Sequence, residues 1–395
     1  LENVWNRFKE IVKTNMRQYA MLIALIVIMV LFEILTQGIL LKPRNVSKLI
    51  YQNSYILILA VGMVLCILTG GNIDLSVGSM VAFVSALSAV FSVFWGLPVW
   101  MAMILGLLFG LLGGMWQGFF IAYVRVPPFI TTLAGMMLFR GINNIILHGE
   151  TIGLPKAYIT MASGVVPDFL GATEGLHLTT VYIGIIVAAL YVAFSIISRI
   201  TKQKQGFEVP ALQMFIIQLV AISAVINVFT YMLALDDGLP IILIIIALLI
   251  GIYTFVTTKT VAGRHIYALG GNAKAAELSG VNTKKVMFWV YSNMGLLAAL
   301  AGIVFAGRLN SASPTAGMYF ELEAIAACFI GGASATGGVG TVIGAVIGAF
   351  IMGILNNGMS IMGMSIFWMD IIKGLVLLAA VAFDVYSKSR AKKSV

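Results

Sequence analysis

The sequence predicts an all-α protein that crosses a membrane about twelve times, with eleven the other reading of the count, and three observations carry that prediction. Of its 395 residues, 61% are hydrophobic and 10% charged, whereas a soluble domain carries roughly 25% charged residues. A water-soluble fold has no interior large enough to hide that much apolar surface. The apolar residues also come in runs of roughly 20, the length that a helix rising about 1.5 Å per residue needs to cross about 30 Å of hydrocarbon. Finally, the runs do not alternate as barrel strands do. Inside lipid the backbone polar groups must be satisfied within the segment, which leaves helices.

The runs are Ala20 to Gln37, Asn53 to Gly70, Leu75 to Trp95, Pro98 to Tyr123, Phe129 to Leu147, Thr179 to Ser198, Ala211 to Leu235, Leu239 to Thr258, Val286 to Gly307, Leu322 to Thr336, Thr341 to Met362 and Ile366 to Tyr386. The run from Leu322 is short and punctuated by glycine, as a half-helix or re-entrant segment would be. No small-residue cleavage site follows the first run, so its helix reads as retained. The transmembrane region therefore covers 20–386, between a polar segment 1–19 and a basic tail 387–395.

Lys and Arg set the orientation, because they concentrate in cytoplasmic loops. With segment 1–19 in the cytoplasm, Arg7, Lys9, Lys13 and Arg17 lie there, followed by Arg125, Arg199, Lys202, Lys204, the 259–285 loop, and Lys388, Arg390, Lys392 and Lys393. An even count brings both termini to that side. The acidic pair Asp236 and Asp237 and the long 148–178 loop, with Glu150, Asp168 and Glu174, then fall outside. Lys42, Arg44 and Lys48 run against this scheme. Either they snorkel to lipid phosphates, or they form a docking patch for an acidic partner, together with Arg308.

The formal charge of +9 does not imply a nucleic-acid partner, because the basic residues are scattered through short inter-helix segments and the bilayer accounts for them. Cys66 and Cys328 sit in apolar surroundings and have neither metal-ligand nor disulfide spacing. No metal site or cofactor is predicted.

Four segments carry functional signals. In Thr69-Gly70-Gly71-Asn72-Ile73-Asp74-Leu75-Ser76-Val77-Gly78-Ser79, Asp74 sits where a helix begins, and its carboxylate is placed to cap orphan amides or, alternatively, to touch a solute. In Arg125-Val126-Pro127-Pro128-Phe129-Ile130-Thr131-Thr132-Leu133-Ala134-Gly135, proline starts a helix. Arg140 then falls inside that helix, with Asn143 and Asn144 beside it. A charge within a span faces protein or water, so Arg140 is either a pathway residue or a structural partner for carbonyls or acids. Asn143, Asn293 and Asn356, with Asn53, are further pathway candidates; a buried Asn is equally a helix-to-helix hydrogen bond.

The third segment, Gly263 to Asn282, has Asn272 as an N-cap, a short Ala-rich helix and Gly280 as its stop. A small rigid helix carrying Ala275 and Ala276 suits insertion into a cleft on another protein; the other reading is a surface helix with no partner. The fourth, Gly331-Gly332-Ala333-Ser334-Ala335-Thr336-Gly337-Gly338-Val339-Gly340-Thr341-Val342-Ile343-Gly344, lacks the Gly-Lys-Ser/Thr ending of a phosphate loop. Close approach of helices is the better account.

These stretches resemble the ribose/xylose/galactose branch of ABC importer permeases, over essentially the whole chain. The resemblance is nearest to xylose and multiple-monosaccharide members, through Gly149-Glu150-Thr151-Ile152-Gly153-Leu154-Pro155 and the additional helices around Ala211 to Thr258. It implies a homodimeric permease in a bacterial cell (inner) membrane, passing a monosaccharide from an extracytoplasmic sugar-binding protein to the cytoplasm. It also implies a separate cytoplasmic ATP-binding subunit, so the chain itself is not an enzyme. Gly270, Gly271, Asn272, Ala275, Ala276, Glu277, Gly280 and Asn282 would form the segment coupled to that ATPase. An ion-coupled secondary transporter is the competing reading, and it needs ionisable residues deep in the bundle. Glu33, Asp74, Glu321 and Glu323 lie near predicted helix ends, which leaves Asp370 and Lys373, one turn apart and able to neutralise each other. An intramembrane enzyme would need a nucleophile with a base or a metal cluster, and His148, His177 and His265, which fall in loops on different sides, do not supply one.

Overall fold

The computed structural model describes residues 16–173, 175–207, 209 and 211–393. The basic side chains expected at the two ends (Arg7, Lys9, Lys13, Arg17, Lys388, Arg390, Lys392 and Lys393), together with Glu174, lie outside what it describes.

Each apolar run overlaps a helix, although the run from Leu322 to Thr336 is helical only as far as Ile330. In order these are α1 Met16–Leu35, α2 Pro43–Leu68, α3 Val77–Phe94, α4 Val99–Val124, α5 Pro128–Leu147, a short α6 Lys156–Ser163, α7 Leu178–Lys204, α8 Leu212–Ala234 and α9 Ile241–Lys259. They continue with α10 Val261–Gly271, α11 Ala273–Leu278, α12 Thr283–Leu309, α13 Phe320–Ile330, α14 Val342–Ile361 and α15 Ile366–Lys393. Among the described residues, 9 helices are long and apolar enough to cross a membrane. At 11 residues α13 is too short to cross alone, as its glycine-punctuated sequence suggested. Helix α2 starts at Pro43 rather than near Asn53. Proline favours a first turn, and the polar residues Arg44, Asn45 and Lys48 are helical without being hydrophobic, so Arg44 and Lys48 belong to a helix and not to a loop.

The chain forms two compact units. The larger comprises Leu1–Leu40, Tyr51–Ser163 and Ile242–Val395. Its core is built on α2, α3, α12 and α14, most of whose apolar stretches are buried. Small residues allow that packing. At the crossing of α4 and α12, a Cβ on Gly295 would strike the Gly110 carbonyl and lie 2.6 Å from the Gly114 Cα, so the two backbones touch directly. Strand β1 (Ile152–Gly153) pairs antiparallel with β4 (Ser311–Ala312), tying the 148–163 stretch to the turn after α12.

The smaller unit comprises Leu41–Ile50 and Gly164–Ile241. In it α7 packs on α8, with the Thr230 side chain set against Gly184. Its loop is a short hairpin of β2 (Ala172–Thr173) and β3 (Leu176–His177). Asp168 accepts from the Thr179 amide at 3.2 Å and the Thr179 hydroxyl at 2.6 Å. The stretch 148–178, read above as one loop, is thus divided between the two units.

Candidate functional site

The segment between α9 and α12 is built from local caps. Thr260 accepts from the Gly263 amide at 3.4 Å to start α10, Asn272 accepts from the Ala275 amide at 3.0 Å to start α11, and Asn282 accepts from the Lys285 amide at 2.9 Å to start α12. Gly280 ends α11 with φ +86, a left-handed conformation that costs any residue with a Cβ. The expected cap and stop of the short helix are therefore present. The helix α10 before it was not expected. Gly270 and Gly271 lie in its last turn instead of a flanking loop, and at Gly270 the lack of a side chain serves a tertiary contact and not a break.

That contact joins three of the segments singled out in the sequence. A Cβ on Gly270 would strike the carbonyl oxygen of Leu68, the last residue of α2, and reach the Gly338 amide. The Gly338 amide itself donates to the Leu68 carbonyl at 3.0 Å. Cβ atoms on Gly71 and Gly337 would likewise strike Ala335 and Gly70. The Tyr267 hydroxyl of α10 donates to the Gly340 carbonyl at 2.7 Å, and burial pushes this phenol up from its ordinary value, so it stays a donor. The glycine-rich 331–340 stretch is therefore a loop wedged against both the α2–α3 joint and α10, rather than a helix-to-helix seam.

On α11 the two alanines part company. Ala275 is exposed, whereas Ala276 is buried within this chain and cannot enter a cleft on a partner. Helical geometry turns successive residues about 100° apart, so neighbours do not share a face. Leu278, at 83% exposure, is the apolar side chain that α11 presents outward, with Lys274 and Glu277 also exposed. Nothing in its sequence position marked it; an apolar residue at the end of an Ala-rich helix reads as core.

The intramembrane polar candidates lie in separate places. Asp74 is fully buried and holds Ser76, accepting from its amide at 2.9 Å and its hydroxyl at 2.6 Å. Ser76 in turn accepts from Gln117 at 2.6 Å. Asp74 thus fixes the residue that precedes α3 and does not itself cap the helix amides. Arg140 donates to the carbonyls of Pro314 and Ala316, at 3.1 and 2.6 Å, and buried Asn143 also donates to Pro314, at 3.1 Å. These two anchor the turn segment 313–319, which meets the start of α3 where Gly78 and Gly317 are in backbone contact. Arg308 likewise serves a carbonyl, that of Gln52, at 3.0 Å. Asn293 stands apart, accepting from Tyr253 of α9. Asn356 donates to Glu323 at 3.2 Å.

Helices broken by non-helical backbone, a conserving of glycine for backbone contacts, and a capped pair of short helices between spans describe a transporter domain better than a pore or a receptor. Residues 45–171 and 157–381 match the family described as branched-chain amino acid transport system, permease component. The chain belongs to this permease family. It is similar to the xylose transport system permease protein XylH of Haemophilus influenzae, 39% identical over 377 residues that cover 95% of this chain and 98% of the relative. The XylH protein of Escherichia coli strain K12 is 40% identical over 385 residues, 97% of this chain and 95% of the relative. The ribose import permease RbsC of Bacillus subtilis is 34% identical over 370 residues, 93% of each. No solved structure matches the chain. As a permease component, this protein is a membrane-embedded transport subunit that works with other components of its system.

Proposed function

We propose that this permease is the membrane subunit of an ATP-driven monosaccharide importer, with a pentose as cargo. The observation that carries the reading is the near full-length likeness, at 39% and 40% identity, to two xylose permeases. The family description names an amino-acid system, but those relatives and the ribose permease are sugar transporters by name. Two copies of the chain would surround the route. A cytoplasmic ATP-binding subunit would engage the α10–α11 segment, through Gly271, Asn272, Ala275, Glu277, Gly280, Asn282 and Leu278. Gly270 and Ala276 would hold that segment on the bundle. A sugar-binding protein would engage the exposed Lys42, Arg44 and Lys48, which suit an acidic surface.

Uptake by cells that lack their own xylose and ribose importers, and that carry this permease with its ATPase and binding protein, tests the reading. D-Xylose should accumulate, and inactivating the nucleotide site of the ATPase should stop it. Uptake that instead collapses with a protonophore while the ATPase is inactive would mean ion coupling.

A further inference from the structure

One cluster of charge in the bundle is used neither by the α10–α11 segment nor by the turn segment that Arg140 anchors. Glu323, in the first turn of α13, accepts from three other helices: the Tyr55 hydroxyl of α2 at 2.8 Å, the Asn356 amide of α14 at 3.2 Å and the Lys373 ammonium of α15 at 3.1 Å. Lys373 also pairs with Asp370 at 3.0 Å. Two carboxylates share one ammonium, which leaves a net negative charge. The Asn356 carbonyl oxygen is buried and has no hydrogen-bond partner.

The cluster borders a cavity of about 280 Å³, whose other walls include Tyr319, Leu322 and Met352. Here the Asp370 side chain is 45% exposed and Tyr319 is 54% exposed. On a helix within a membrane protein, a carboxylate held open in this way faces water or a solute and not hydrocarbon. An apolar and aromatic lining with a few convergent polar groups is also the usual make-up of a small-molecule site.

The chemistry narrows the ligand. Net negative charge disfavours an anion and the charged floor disfavours an apolar compound, while the Lys373 ammonium offsets one of the two carboxylates and so weakens, without abolishing, the pull on a cation. A polyhydroxyl ring satisfies all of them: its hydroxyls donate to carboxylates and accept from an ammonium, and its C–H face lies on an aromatic ring. We infer that this cavity is a station on the transport route, where Asp370 and Lys373 hydrogen-bond the hydroxyls of the passing monosaccharide and Tyr319 packs on its ring. Glu323 is a positioning residue, fixing Lys373 from α13. Because Lys373 keeps two protein partners throughout, the hold on the sugar is weak, as a route requires. This inference rests on the sugar-import reading above.

The test uses the permease reconstituted with its ATPase and binding protein, and compares D-xylose with a deoxyxylose lacking one hydroxyl. Asp370→Asn and Tyr319→Ala should each lower initial D-xylose uptake about tenfold. ATP hydrolysis stimulated by the loaded binding protein should stay within about twofold of wild type, because α10 and α11 are untouched. Asp370→Asn should also shrink the preference for D-xylose over the deoxy sugar, an effect that a loss of stability alone would not produce. Tyr319→Ala removes no hydrogen bond of the cluster, so it keeps the test decisive if Asp370→Asn does not fold. Wild-type uptake and an unchanged sugar preference in both variants would take the cavity off the route. Reduced uptake that tracks a lowered melting temperature, with the preference unchanged, would make the cluster a structural clamp and overturn the inference. A wild-type complex that imports neither D-xylose nor D-ribose would instead remove the sugar reading itself, before any variant is made.

Discussion

Helices α2 and α8 are both strongly apolar, yet 89% of the apolar stretch of α2 is buried in the chain and 0% of that of α8. The pair α7 and α8 is in fact the more hydrophobic when set beside α2, α3, α12 and α14. In a soluble protein the ranking would be reversed. Lipid is as apolar as a leucine side chain, so hydrophobicity marks a helix that tolerates lipid, and small or polar residues mark one that meets protein. The core helices accordingly carry Ser85, Asn53, Asn357, Gly295 and Gly302, all placed against other helices or their carbonyls.

The sharpest test of that contrast exchanges a glycine in each setting. Gly295→Leu must push two backbones apart, far beyond the roughly 1 to 3 kcal/mol of ordinary overpacking, and should yield no monodisperse protein on size-exclusion chromatography. Gly251→Leu on α9, where nothing lies within 4 Å of the new Cβ, should purify like wild type. If both behave alike, close backbone approach is not what holds the core.

A smaller loss is expected at the anchored turn segment. Arg140→Met strands the Pro314 and Ala316 carbonyls and should cost about 2 to 3 kcal/mol; Asn143→Leu should cost about 1 to 2. Both are read as a lower melting temperature in detergent. Equal stability to wild type would mean that water replaces both donors.

On α11, Ala276→Trp should destabilise by roughly 1 to 3 kcal/mol because the site is filled by this chain. Ala275→Trp and Leu278→Ser should leave stability within about 0.5 kcal/mol while lowering sugar-stimulated ATP hydrolysis. Normal hydrolysis in both exposed variants would remove α11 from the ATPase interface.

The hairpin of the smaller unit should respond to acid only weakly. The Thr179 hydroxyl holds the Asp168 carboxyl below its ordinary value, so the unfolded loop binds the proton more readily than the folded one. The stabilisation is present above the unfolded value of about 3.9 and is lost as pH falls through the lower folded value. The hydrogen-exchange protection factors of the Leu170 and Thr179 amides, corrected for intrinsic rates, should stay constant from neutrality to about pH 4 and fall below it; Asp168→Asn should abolish that dependence. The smallest effect belongs to the lipid-like face. Val220→Leu and Ile217→Val on α8 should change stability by less than about 0.5 kcal/mol, as seen in melting temperature.

Most of the helices, the cap Asn272 and the stop Gly280 were legible in the sequence, because each is decided by residues within one or two turns. What was not legible depends on partners far along the chain. Glu323 looked like a first-turn acid near a helix end, and only folding brings Lys373, Asn356 and Tyr55 to it. Gly263 and Gly270 argued against a helix at α10 by propensity alone, whereas each is a point where another backbone passes. Asp74 showed its place in the chain but not that its bonds would go to Ser76, which itself accepts from Gln117.

In the coupling role proposed above, the backbone contacts of Gly270 with Leu68 and Gly338, and of Gly337 with Gly70, have a mechanical consequence. Side chains between two helices act as springs: they change rotamer and absorb small displacements before the backbone moves. Where main chain lies directly on main chain there is no such slack, so a push on α11 cannot dissipate locally and has to be passed on as displacement of the α2–α3 joint and of the loop ahead of α14. The glycines remove compliance from the one place where a transmission needs stiffness.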